Sequence, residues 1–183
     1  MRVRTTLVTL AAVAAVTSVA APAAADVEVV GDPRGDTSTE DREVSRATDI
    51  VRVRGEHANS TVRFRLRVVD LTPGYFFADF PISTPDDFVD ASIFRRDGQV
   101  DVSLSPNGPG SIECDGLRGR LFNRSDTVEL RVPRSCLGNP RWIRFGSGTG
   151  VVRNGFQDRD DARLDGGFPA FPSALGEQRL FRD

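Results

Sequence analysis

The sequence predicts an all-β fold: an antiparallel β-sandwich, jelly-roll or immunoglobulin-like, of about nine strands held by one disulfide. Three observations carry that expectation. Hydrophobic residues recur with a period close to two, most clearly in "TVRFRLRVV" at 61–69, where Val62, Phe64, Leu66 and Val68 alternate with Arg63, Arg65 and Arg67. Successive strand side chains point to opposite faces, so this pattern buries one face and wets the other. Clusters of Gly, Pro, Asn and Asp interrupt these runs at strand-like intervals, and no stretch has the apolar spacing of a long helix. Finally, Cys114 and Cys136, the only two cysteines, flank a pair of strand-like runs.

Residues 1–25 have the plan of a secretory signal: Arg2 and Arg4 in front, an apolar run from Leu7 to Ala21, and Ala23-Ala24-Ala25 as a small-residue cleavage site. Roughly 15 apolar residues fall short of the ~20 that a membrane-spanning helix needs. The mature chain, residues 26–183, is therefore expected to be secreted, extracellular and without a membrane span. Removing 25 of 183 residues leaves 158, sized for a single domain.

Strand candidates then follow in order: "VEVV" at 27–30, "DIVRVR" at 49–54 with Val51 and Val53 inward, "TVRFRLRVV" at 61–69, "GYFFADF" at 74–80 and "ASIFRR" at 91–96. Asp97-Gly98 reads as a hairpin turn into "GQVDVSLS" at 98–105. "GLRGRLF" at 116–122 and "TVELRV" at 127–132 are joined by the polar turn "NRSD", and "RWIRF" at 141–145 is the last clear strand. "GSGTG" at 146–150 reads as a connecting loop. From about residue 154 the pattern lapses into an irregular tail, with a short strand expected near 179–182.

Counted outward from "NRSD", Cys114 and Cys136 stand almost level, so a hairpin brings their Cα atoms to the ~5.5 Å that a disulfide requires. The absence of a Cys-x-x-Cys spacing favours a structural bridge over a redox pair.

Composition narrows the function classes. All 24 basic residues are Arg, against 26 acidic ones. Loss of Arg2 and Arg4 leaves 22 against 26, a balance of −4 that does not suggest a nucleic-acid binder. The sole histidine, His57, falls in the polar loop "GEHANS", where a lone histidine reads as solvated, and has no Gly-x-Ser-x-Gly elbow to accompany it. One His and two bonded cysteines do not make a zinc site. Carboxylates are too numerous for their count alone to identify a glycosidase-like pair.

Two constellations remain. "GDPRGDTSTEDREVSRATDI" at 31–50 holds Asp32, Asp36, Glu40, Asp41, Glu43 and Asp49, while "QDRDDARLDGG" holds Asp158, Asp160, Asp161 and Asp165. Hard oxygen ligands of this kind suit Ca²⁺. A sandwich that brings its chain ends together would let Asp32 or Asp36 share an ion with Asp160 or Asp161; the alternative is two solvated acidic loops. Arg34-Gly35-Asp36 also spells an adhesion tripeptide, one that recurs by chance. The second constellation is Arg52, Arg54, Arg63, Arg65 and Arg67, which share an outward face if their strands are neighbours. They form either an anion-gripping patch or a face on which Asp101, Glu129 and other acids interleave.

The segments "GDPRGD", "DIVRVR", "RVVDL" at 67–71 and "VPRSCLGNPRWIRF" at 132–145 together resemble a group of small, secreted, uncharacterised actinobacterial proteins, and "VPRSCLG" is the most specific piece. The layout is also loosely similar to carbohydrate-binding β-sandwich modules of the DOMON and family 9 type, which have an aspartate-rich start before their first strands. The resemblance implies no activity. The expectation is a non-catalytic binding module of the cell envelope or extracellular space, with an anionic cell-wall polymer or glycan as partner and a structural calcium ion. A small carboxylate-based hydrolase and a purely structural or interaction protein are the alternatives.

Overall fold

A computed structural model describes residues 25–38, 46–153, 156–164 and 172–182. The signal expected at 1–25 lies outside the described residues except for Ala25, as do Glu40, Asp41, Glu43 and Asp165. Among the described residues there are twelve strands: β1 (Asp26–Gly31), β2 (Ile50–His57), β3 (Thr61–Val68), β4 (Phe76–Ser83), β5 (Phe88–Arg96), β6 (Gln99–Pro106), β7 (Arg118–Phe122), β8 (Thr127–Pro133), β9 (Trp142–Phe145), β10 (Gly148–Arg153), β11 (Phe156–Asp161) and β12 (Leu180–Phe181).

All pairings are antiparallel and fall into two sheets. The first runs β1-β2-β3-β8-β7, the second β11-β10-β4-β5-β6. In the second, β4 is shared along its length: its first half pairs with β10 at Phe77–Asp79 and its far end with β9 at Ile82–Ser83. Strand β12 pairs with β9.

The period-two pattern does what it predicts. Val62, Phe64, Leu66 and Val68 are buried, while Arg63, Arg65 and Arg67 are exposed. Phe64 of the first sheet stacks on Phe80 of the second with ring centroids 4.9 Å apart and also meets Phe145 at 5.2 Å, so one aromatic cluster bridges the layers. Each such ring contributes roughly 1.5–3 kcal/mol by leaving water. The sheets come close enough at Gly55 that a Cβ there would collide with the Phe145 ring.

At the start of β2 the register shifts between Ile50 and Arg52. The bulge makes Val51 the extra residue, so that Ile50 and Val53 face the core and Val51 is only half-buried. This differs from the sequence reading, which placed Val51 inward. Asp97 and Gly98 both adopt positive φ, 52° and 78°, the geometry of a tight two-residue hairpin between β5 and β6.

Cys114 and Cys136 are joined, with Cα atoms 5.5 Å apart. They lie just beyond the open end of the β7–β8 hairpin, whose last pair is Arg118 with Arg131. The "VPRSCLG" segment caps that end. Arg134 is buried and donates to the Asn59 carbonyl at 2.6 Å and the Pro140 carbonyl at 2.8 Å, while Gly138 supplies the left-handed residue, φ 73°, that ends the 3-10 turn.

Three sequence expectations are corrected. "GSGTG" is not a loop throughout, because β10 begins at Gly148. Its glycines are there because a Cβ at Gly148 would strike Ser173 and Asp79, and one at Gly150 the Phe77 ring. The segment after 153 is not wholly irregular, since "FQDRDD" forms β11; the expected short strand near 179–182 is β12. His57 is not in a solvated loop: it ends β2, is fully buried and donates through Nδ1 to the Leu180 carbonyl at 2.9 Å.

Candidate functional site

The aspartate-rich stretch leaves β1 at the edge of the first sheet and runs along the edge strand β11 of the second. Over 32–38 its backbone is anchored at both ends, by Asp32 N–H donating to the Val51 carbonyl at 3.2 Å and Ser38 N–H to the Arg159 carbonyl at 3.2 Å. Gly35, at φ 82°, turns the chain so that its N–H reaches Asp49 Oδ2 at 2.9 Å. The chain at 32–38 therefore folds back on the start of β2 with Asp32 and Asp36 turned inward.

Asp32, Asp36 and Asp160 converge, each offering an oxygen within 4.8 Å of the others. Asp160 comes from β11 and is fully buried; its Oδ2 accepts from Ile50 N–H at 2.6 Å and its Oδ1 from Asp161 N–H at 2.9 Å. Asp160 thus also joins β11 to the start of β2. Four nearby carboxylate oxygens are shielded from solvent and accept no hydrogen bond: Asp32 Oδ2, both oxygens of Asp36, and Asp49 Oδ1.

The electrostatics agree with this crowding. Burial, then the negative charges of Asp160 and Asp36, push the Asp32 carboxyl up to about 8. Burial also pushes Asp160 up to about 6, with Asp36 and Asp49 adding to the rise against two backbone donors that oppose it. Asp49 is raised as well, first by burial and then by the charge of Asp36, while the Gly35 N–H and Arg34 hold it down.

The fourth acid expected there, Asp161, is not one of the three that converge. Adjacent strand residues face opposite ways, and its oxygens are taken by the Arg163 and Ala174 N–H groups at 2.9 and 2.7 Å. Asp161 fastens the segment after β11. Asp36 belongs to the acidic cluster with its oxygens buried, so Arg34-Gly35-Asp36 does not present its carboxylate at the surface.

The outer face of the first sheet has the opposite character. Arg52, Arg54, Arg63, Arg65 and Arg67 all lie on it, because β2 and β3 are neighbours. Pairing carries the row further, to Arg131 and Glu129 on β8 and Arg118 and Arg120 on β7. Four cross-strand pairs set arginine directly against arginine: Arg52 with Arg67, Arg54 with Arg65, Arg63 with Arg131, and Arg118 with Arg131. Like charges so placed repel.

Among the described residues interleaving acids are few. Glu56 lies near Arg54 and Arg63 at 3.6 and 3.8 Å, and Glu129 accepts from Arg65 Nε at 2.9 Å. Asp101, which the sequence offered as a partner, sits on β6 of the other sheet. An open depression of about 660 Å³ is bounded by Arg52, Arg54, Arg65, Arg67, Ser125 and Thr127. The contributions of Arg118, Arg120 and Arg131 were missed by the sequence reading, although the alternation in "LRGR" and "LRV" marks them as outward.

No protein-family model matches the chain, and comparison with curated proteins finds no match.

Proposed function

We propose that this protein is a secreted, non-catalytic binding module that takes up an anionic polymer of the cell envelope or extracellular space on the outer face of its β1-β2-β3-β8-β7 sheet. The observation that supports this reading is the charge of that face, which among the described residues holds eight arginines against two glutamates in a chain whose net charge is −2. Taking 8 from the 22 basic and 2 from the 26 acidic side chains of residues 26–183 leaves 14 against 24, so positive charge is gathered on this face of an otherwise acidic chain. Guanidinium groups pair with phosphate or carboxylate through two parallel hydrogen bonds, and an anion laid across opposed arginines relieves their repulsion. The carboxylates that do converge favour binding over hydrolysis. Their oxygens are shielded from solvent, whereas the two carboxyl groups of a glycosidase flank and face a substrate.

The test is binding of the purified protein to immobilised poly(glycerol phosphate) and to a uronate polysaccharide across a salt series. Among the described residues Arg52 and Arg67 make no salt bridge, so Arg52→Glu with Arg67→Glu reverses charge without breaking an ion pair. Expected are an affinity that falls as salt rises and a drop of about tenfold or more in the double variant. Binding that ignores both salt and charge reversal refutes the reading.

A further inference from the structure

We propose that Asp32, Asp36 and Asp160, with Asp49 beside them, bind one calcium ion that ties the loop leaving β1 to the edge strand of the opposite sheet. The site is independent of the basic face and of whatever that face binds.

Three acids drawn together prove nothing alone, since exposed carboxylates cluster without a ligand. What points to a cation here is the state of their oxygens. Both oxygens of Asp36 are shielded from solvent and unpartnered, and Asp36 is one of the three converging ligands. Asp49 is only 5% exposed, one of its oxygens is likewise unpartnered, and its charge is felt by Asp160. A buried carboxylate oxygen without a hydrogen bond is costly, and several of them facing one another are costlier still. A divalent cation is the simplest partner that satisfies them together.

The donor set selects the ion. It is all oxygen, with no His or Cys, which disfavours zinc and copper. Several carboxylates gathered from separate segments of chain suit the larger, geometrically tolerant calcium, whereas magnesium is usually held by one or two carboxylates and keeps its waters. The ligands are also ready to receive it. Asp160 is held by the Ile50 and Asp161 N–H groups, and the loop bearing Asp32 and Asp36 is anchored to Val51 and Arg159.

The experiment is calorimetric titration of chelator-stripped protein with calcium chloride, in parallel with thermal melts in chelator, calcium or magnesium. Expected are one calcium per chain, a Kd in or below the range of about 10⁻⁴–10⁻³ M found in extracellular modules, and a melting midpoint that rises with calcium more than with magnesium. Asp36→Asn removes the charge of a ligand whose oxygens make no hydrogen bond, leaving only the weaker amide oxygen as a donor, and no other contact is lost. This variant is expected to bind calcium at least about tenfold more weakly. In chelator it is expected to melt above the wild type, because one repelling charge is gone; in calcium the order reverses. No heat and an unmoved midpoint at about 10 mM calcium, well above that Kd range, would overturn the proposal. So would an undiminished calcium response in Asp36→Asn, or an equal response to magnesium.

Discussion

His57 at the end of β2 donates its Nδ1 proton to the carbonyl of Leu180, 123 residues further along the chain. That bond fixes the tautomer and places an uncharged imidazole in the core, where burial holds its pKa below the ordinary 6.5. The folded state therefore resists a proton that the unfolded state accepts. Its contribution to stability is intact above pH 6.5 and lost as pH falls below that value. His57→Gln keeps a neutral donor without the titration. The difference in unfolding free energy between wild type and variant, measured by urea denaturation, is expected to shrink between pH 7 and pH 5. A constant difference would contradict this.

Carboxylates act in the opposite direction. With metal removed, Asp32 at about 8 and Asp160 at about 6 hold protons in the folded chain that an unfolded chain, at 3.8, has released. Stability is therefore greatest below about pH 4 on their account and declines as pH rises toward 8. In the His57→Gln background, denaturation midpoints in chelator are expected to fall from pH 5 to pH 8. Saturating calcium is expected to flatten or reverse that slope. Identical slopes with and without calcium would separate these acids from any ion.

The disulfide closes a loop with a sequence separation of 22 residues. By chain entropy such a link is worth roughly 3 kcal/mol. Replacing both cysteines by serine is expected to lower the unfolding free energy by about that much. The β7–β8 amides are expected to exchange with deuterium fastest among the sheet amides, because the open end of the hairpin is no longer tied.

Gly55 tests the packing between layers. Gly55→Ala would drive a methyl into the Phe145 ring, a strain expected to cost about 1–3 kcal/mol. Phe145→Leu in the same chain is expected to restore part of the loss, whereas equal stability of Gly55→Ala and wild type would show that the sheets give way freely.

How much of this was legible depended on what each strand buries. Where a strand sets an apolar face against the core, as in Val62 to Val68 or Val128 to Val132, alternation alone placed every residue correctly. It failed at β10 and β11. Their sequences read as loop because Gly148 and Gly150 are small to admit neighbouring side chains, and because Asp160 turns a carboxylate inward where a strand normally turns a hydrocarbon. His57 was misjudged for a related reason: its neighbours in sequence are polar, and the backbone carbonyl that satisfies it lies 123 residues away. For the acidic cluster, residue type and nearness of the chain ends were enough to name Asp32, Asp36 and Asp160. Choosing between Asp160 and Asp161 required the strand's facing, and weighting Asp49 required the turn at Gly35.

The partnership of β12 with β9, together with the His57–Leu180 bond and the Phe181 N–H donated to Asp26, sets an order of assembly. Until residues 180 and 181 have been delivered, the imidazole lacks its acceptor and the Asp26 carboxylate its donor. Contacts this distant along the chain form slowly. A polypeptide still being made stays open at that seam, and Leu180 and Phe181 act as its latch.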